Sequence, residues 1–215
     1  MGGAQYVHTF DKCFFMPSDL TAGLEYNRDR LKDNMWGYNR HTDQTVNIYS
    51  AFLQNEWKND RWGILIGGRL DKHNMVDNVI FSPRANLRFN PTQNINLRLS
   101  YSSGFRAPQA FDEDMHIENV GGTVAMIERA KNLKEEKSQS FSASADMYHR
   151  FGAFQTNLLI EGFYTRLTDV FVLGKPYDRG DGILVKTRSN GPGAKVMGLT
   201  LEGKVAYLSI LQLSL

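Results

Sequence analysis

The sequence predicts an all-β chain, an antiparallel up-and-down segment of a transmembrane β-barrel. Three observations carry this. First, residues 62–108 alternate apolar and polar side chains. Ile95, Leu97, Leu99 and Tyr101 point one way, and Asn96, Arg98, Ser100 and Ser102 the other. A period of two is a β-strand with one oily and one wet face, and arginine and asparagine on the wet face suit lipid outside and a watery lumen inside. Second, short and long connections take turns along the chain. Third, aromatics cluster at strand ends: Trp57 and Trp62 bracket one turn, Phe89 precedes the next, and Phe151 and Phe154 flank another. Amphipathic rings prefer the lipid–headgroup boundary.

Nine strands are expected in order, over residues 6–15, 20–27, 45–57, 62–71, 79–89, 95–105, 138–150, 154–172 and 196–207. A tenth begins at Leu211. Most are near the ~9–11 residues that a tilted strand needs to cross a bilayer. The connections 16–19, 58–61, 90–94 and 151–153 are short, and glycine, proline or small polar residues dominate several of them, as turn chemistry requires. The connections 28–44, 72–78, 104–137 and 173–195 are longer and polar. In an up-and-down barrel alternate connections lie at the same end, so one end carries short turns and the other long loops. Outer-membrane barrels are built this way. A Greek-key sandwich has no reason to sort its loops by length.

The facing follows strand by strand. Trp62, Ile64, Ile66, Gly68 and Leu70 form one side of their strand, against Gly67, Arg69 and Asp71. Ala85, Leu87 and Phe89 oppose Arg84, Asn86 and Arg88. Met197, Leu199, Leu201, Val205 and Tyr207 oppose Thr200, Glu202 and Lys204. The apolar sets are expected to face lipid.

Composition is compatible with this. The 215 residues carry a net charge of +2. The mean hydropathy of −0.41 looks soluble, but barrel strands hide their lipid face in every second residue. No run of ~18 apolar residues offers a transmembrane helix. No basic patch and apolar core follow Met1, so the expectation is a removed leader or an internal piece of a longer protein. The single cysteine, Cys13, excludes an internal disulfide. No basic run with interleaved aromatics points to nucleic acid. Enzyme signatures are lacking: there is no nucleophile elbow and no phosphate loop. His8, His41, His73, His116 and His149 are too dispersed in sequence for a close zinc pair. No enzyme activity and no resident cofactor are expected.

SYSSGFRAP (100–108) resembles a strand-to-loop signature of TonB-dependent outer-membrane receptors. LTAGLEYNRDRL (20–31), GGRLDKH (67–73), NLKEEKSQSFSASADMY (132–148) and GAKVMGLTLEGKVAY (193–207) resemble further strands of that family, in order and across nearly the whole chain. Two departures stand out: the family's Asn-Pro is Asn132-Leu133 here, and its proline before glutamate is Glu135. The resemblance implies about nine or ten strands from the second half of a 22-strand barrel, without the family's N-terminal plug. On this reading residues 1–215 are one partial barrel domain. Nine or ten strands at that curvature leave two open edges, which lipid cannot satisfy, so isolated material is expected to aggregate.

The resemblance also implies a function. The parent receptor would import a large scarce nutrient, such as a ferric siderophore, haem or cobalamin, across the outer membrane of a double-membraned bacterium. Energy would come through TonB, engaged by a region outside this chain. The implied partners are outer-membrane lipid, the TonB complex and a metal-chelate ligand. The candidate ligand surface is the external segments 28–44, 104–137 and 173–195. Within them Arg106, Asp112, Glu113, Asp114 and His116 are the candidate binding residues. Arg106 would order its loop or meet an anionic ligand. The acidic triplet is a solvated loop segment, a contact to another loop or a hard-cation site. His116 is a solvated histidine or a haem ligand. Arg179-Gly180-Asp181 spells an adhesion tripeptide that a turn-rich loop produces by chance. The competing classes are a passive outer-membrane channel and a soluble β-sandwich binding module.

Overall fold

The computed structural model describes residues 1–38, 40–109, 118–120, 123–180, 182–208 and 211–214. Alternating side chains and short turns produce one antiparallel sheet of ten strands. These are β1 (Gly2–Cys13), β2 (Met16–Met35), β3 (Arg40–Lys58), β4 (Trp62–His73), β5 (Ile80–Thr92), β6 (Ile95–Arg106), β9 (Glu136–Phe151), β10 (Phe154–Thr168), β14 (Ala194–Tyr207) and β15 (Leu211–Ser214). Their spatial order is their chain order. A second sheet is built from the long connections: β7 (Glu118–Val120), β8 (Thr123–Arg129), β11 (Phe171–Leu173), β12 (Tyr177–Asp178) and β13 (Leu184–Asn190). It runs β11-β13-β8-β7, with β12 beside β13, and β13 pairs β8 in parallel.

The register fixes the faces. Trp62, Phe89, Leu97, Ala145, Ile160 and Leu201 form one unbroken row across six strands. Ile66, Ala85, Tyr101, Phe141, Tyr164 and Met197 form another, nearer the outer end. These rows lie on the exposed apolar face, where Ile66 is 56% and Leu199 77% accessible. The opposite face carries Arg88, Arg98, Ser144, Glu161 and Thr200 in one row. The expected facing of β4, β5, β6 and β14 is therefore the observed one. From Trp62 to Leu70 the apolar side of β4 spans eight residue steps, about 26 Å along the strand. A tilt of about 40° reduces this to about 20 Å, close to the band of a barrel wall.

Strand ends differ from the expectation in informative ways. β2 and β3 run far beyond residues 20–27 and 45–57. They stay paired from Ser18↔Trp57 to Met35↔Arg40 and close through a 3-10 turn, Trp36–Tyr38. Much of the expected loop 28–44 is thus a hairpin arm standing above the apolar band. The expected strand 154–172 breaks at Asp169, which takes a positive φ of 54°, a conformation aspartate tolerates better than most residues. Phe171–Leu173 then leaves the wall for the second sheet. The β5–β6 ladder stops at Arg84↔Ser102, next to Pro83, which has no N–H to continue it.

Aromatics fasten the short-turn end. Trp62 and Phe89 stack at 4.2 Å between centroids, and Phe154 and Tyr207 lie at 4.9 Å. The β1–β2 turn places Phe14 at φ 63°. Trp57 braces it by stacking on Phe15 at 5.8 Å and donating from Nε1 to the Cys13 carbonyl at 3.0 Å.

Candidate functional site

The long-connection end of the wall is folded over its polar face. Arg129, at the end of β8, donates to Gln44 Oε1 of β3 and to the Pro108 carbonyl, both at 2.9 Å. Glu136 opens β9 and accepts the Phe171 backbone N–H at 2.8 Å. Opposite Glu136 in register stands Arg106, with its guanidinium carbon 5.6 Å from the centre of the Phe171 ring. Arg106, Glu136 and Phe171 therefore join β6, β9 and β11 at one point. Asn190 adds a second fastening. It accepts from the Lys134 N–H at 2.8 Å and donates to the carbonyls of Lys134 and Asp169, at 3.0 and 2.8 Å.

Beneath the second sheet lies a small apolar knot of Val76, Ile80 and Ala107, with Phe105 against it. His73 is fully buried beside it, at the outer end of β4 beyond the apolar band. Its Nδ1 accepts the Met75 N–H at 3.0 Å, which puts the ring proton on Nε2, 3.3 Å from Gln109 Oε1. Burial holds the His73 pKa below its ordinary value. Further down the polar face, Arg69 bonds Glu25 at 2.7 Å and Asp71 and Ser50 at 2.8 Å, while Ser50 donates to Asp71 at 2.5 Å.

Between the β2–β3 arm and the second sheet opens a polar cavity of about 610 Å³. Its lining includes Arg40, His41, Glu128, Arg129, Lys131 and Arg179. Arg40 pairs with Asp33 at 3.0 Å and Arg179 with Glu128 at 3.6 Å. Four cations against Glu128 in the lining and Asp33 behind Arg40 leave the site net positive, which suits a ligand with several negative oxygens, because guanidinium forks meet such oxygens two at a time. The cavity draws on all three external segments named from sequence. The sequence pattern did not single out Arg40 or Arg129 and met Arg179 only in a chance tripeptide; the three lie far apart in the chain and meet only through the β13–β8 pairing and the arm.

Of the residues chosen from sequence, Arg106 stands at the fastening just described. Asp112, Glu113, Asp114 and His116 lie outside the described residues, as does Asp181 of the Arg179-Gly180-Asp181 tripeptide. Among the described residues no group of three or more histidine, cysteine, aspartate or glutamate side chains could hold a metal ion.

An amphipathic antiparallel wall, turned tightly at one end and carrying a folded lip at the other, is a stretch of an outer-membrane β-barrel. The family description "TonB dependent receptor-like, beta-barrel" fits residues 3–215, and the chain belongs to that family. Its place is the outer membrane. No curated protein matches the chain in sequence. Among solved structures it is similar to the siderophore receptor PirA from Pseudomonas aeruginosa, at 18% identity and a TM-score of 0.80, covering 99% of this chain and 40% of that one. It is also similar to the ferric enterobactin receptor PfeA of the same organism, at 19% identity and a TM-score of 0.76, covering 99% and 34%. The outer membrane transporter YddB from Escherichia coli follows at 14% identity and a TM-score of 0.67, covering 95% and 30%. At these identities the likeness is one of fold, and the chain spans at most two fifths of those proteins.

Proposed function

We propose that the chain is one part-barrel domain, wall and external lip, of a receptor that captures an anionic metal chelate and imports it with energy delivered through TonB. The observation that carries this is the lip cavity, where Arg40, Arg129, Lys131 and Arg179 converge from three separate external segments. A polyanionic ferric chelate of the catecholate type fits that charge. The siderophore and enterobactin receptors among the similar folds support the same class. Neither covalent chemistry nor a resident cofactor enters: the lip binds, and the wall conducts.

The test uses the intact receptor in detergent micelles and ferric enterobactin as the added chelate, read by quenching of tryptophan fluorescence. Trp36 is 78% exposed at the arm tip and is a natural reporter. Replacing Lys131 and Arg179 by glutamate is expected to weaken binding about tenfold or more, as loss of charge-assisted contacts does. Haem, added separately, tests His116. A Soret shift that His116→Ala abolishes moves the substrate class to haem. Unchanged affinity for the chelate in the glutamate variant removes the lip cavity from the proposal. Uptake that persists in cells lacking TonB removes the energised step.

A further inference from the structure

The lip cavity rests on a buried histidine that is not part of its lining. Met75 and Pro108 line the cavity beside Arg129. His73 ties together the two segments that carry them. Its Nδ1 takes the Met75 N–H at 3.0 Å, and its Nε2–H reaches Gln109, the residue after Pro108, at 3.3 Å. The ring is 0% accessible. Arg129 holds the same segment through the Pro108 carbonyl at 2.9 Å, and Ala107 packs into the knot with Val76 and Ile80. The connection 74–79 and the segment after β6 therefore share one titratable crosspiece.

A proton added to this ring has one place to go. Nε2 already carries its hydrogen, so the incoming proton takes the Nδ1 lone pair. The Met75 N–H then loses its acceptor, and the ring gains a charge where water does not reach it. Both changes favour an opened lip in which ring and amide are solvated. The surroundings do not offset the charge. Ile48, opposite on β3, brings none. Asp71 on β4 attracts a charged ring but is already engaged by Arg69 and Ser50. Lys72 turns its ammonium to the carbonyls of Val76 and Asp77, and Asp77 is exposed. Gln109 is a neutral amide. The second sheet brings Arg129 and, paired with it in register, the buried Arg188, while its Glu128 is taken by Arg179. Desolvation outweighs the attractions.

We propose that His73 is a proton-operated latch of the lip: the neutral ring holds the Met75 and Pro108 walls of the cavity together, and protonation lets them part, so that the receptor releases an anionic chelate in acid. His73 is thus a positioning residue for the cavity. The release step rests on the import reading, whereas the latch itself does not. The sign sets it apart from simple charge in the cavity. His41 lies in the lining. Titration of that ring alone would add a cation in acid and hold an anion more tightly. The latch gives the opposite sign, and by linkage a bound chelate expels the proton.

The test uses the intact receptor in detergent micelles between about pH 7.5 and about pH 4.5, a range that brackets histidine titration. Without chelate, hydrogen exchange of the segments 105–109 and 126–130, each compared with its intrinsic rate at that pH, follows the latch. Wild-type protection is expected to fall about tenfold or more as pH drops below the ordinary histidine value of about 6.5, and H73F to lose that dependence. With ferric enterobactin added, wild-type affinity is expected to weaken about threefold to tenfold over the same range, within the roughly tenfold per pH unit that one linked proton allows. H41Q should steepen the loss. H73F should leave only the change that the chelate itself contributes. Where H73F does not fold, as judged by heat-modifiable migration, H73Q takes its place. Protection that is flat in wild type, or equally pH-dependent in wild type and variant, overturns the latch. Tighter binding of the chelate in acid, or an affinity that does not change while protection falls, overturns the release step. A latch that opens in wild type alone, with no chelate bound at any pH, sustains the latch and ends the import reading.

Discussion

Leu97 and Arg98 are neighbours in sequence and face opposite solvents. Leu97 sits in the row between Phe89 and Ala145, while Arg98 sits between Arg88 and Ser144. Replacing Leu97 by arginine should cost folding free energy in lipid, less than the about 2–4 kcal/mol of a cation at the bilayer midplane because its row includes the boundary residues Trp62 and Phe89. Arg98→Leu should cost far less, since the lumen offers water to whatever remains. Denaturant titration in lipid vesicles checks the order, and the reverse ranking would invert the face assignment. His73 makes a pH prediction. Its pKa is depressed by burial, so the folded lip prefers the neutral ring. This contribution is complete well above the ordinary histidine pKa of about 6.5 and is lost as pH falls through that value toward the folded one. Protonation also removes the acceptor for the Met75 N–H. The hydrogen bond to the neutral amide of Gln109, from the loop after β6, and the charge of Asp71 on β4 both oppose the shift. The protection factor of the Met75 amide, its exchange compared with the intrinsic rate at each pH, should fall as pH drops below the ordinary histidine value of about 6.5, and His73→Phe should flatten that pH dependence.

Elements were legible in proportion to how much of each strand alternates. β4, β5, β6 and β14 alternate cleanly, and their faces could be assigned residue by residue. The arm formed by the outer halves of β2 and β3 was not legible, because Asn27, Arg28, Asp29 and Arg30 read as a polar loop. Above the membrane both faces of a hairpin are wet, so the period of two disappears. What holds the arm is pairing across it, including the two-pronged contact of Arg30 with Asp43 at 3.0 and 2.7 Å. Hydrogen bonding from Arg30 holds the Asp43 carboxyl below its usual pKa. That support is present above about pH 4 and fades as pH falls through the lowered value. The second sheet was illegible for a related reason: its strands are short, and their partners come from loops some sixty residues apart, as in Leu184↔Ala125. Within the wall, Gly198 shows what a missing side chain can specify. A methyl group there would lie 2.6 Å from the Phe163 ring, which covers it from the next strand. Gly198→Val should therefore displace Phe163 and destabilise the β10–β14 pair by about 1–3 kcal/mol, as overpacking does. The midpoint of urea unfolding in lipid vesicles measures it, and an unchanged midpoint would mean that Phe163 does not rest on Gly198.

At the scale of the whole molecule, the wall ends in strands that have a neighbour on one side only. The sheet order runs from β1 to β15 without returning to its start among the described residues. In β1 the residues from Gly2 to Phe10 pair with β2 alone, and β14 meets only the four residues of β15 on its far side. In lipid each unpaired backbone N–H or C=O carries a cost of several kcal/mol, which closure into a barrel removes. An antiparallel edge of this length is also a template for another edge. Residues 1–215 refolded alone in detergent should therefore associate edge to edge into oligomers, and should not give heat-modifiable monomers. Adding lysines at the outward N–H positions of β1 should reduce the association, since a charged edge resists pairing. Size-exclusion chromatography with light scattering distinguishes the outcomes. A stable monodisperse monomer would mean that the two edges find each other, closing about ten strands into a narrow barrel. In that case the curvature of the wall, and with it the room for a chelate to pass, would be that of a small barrel instead of a receptor.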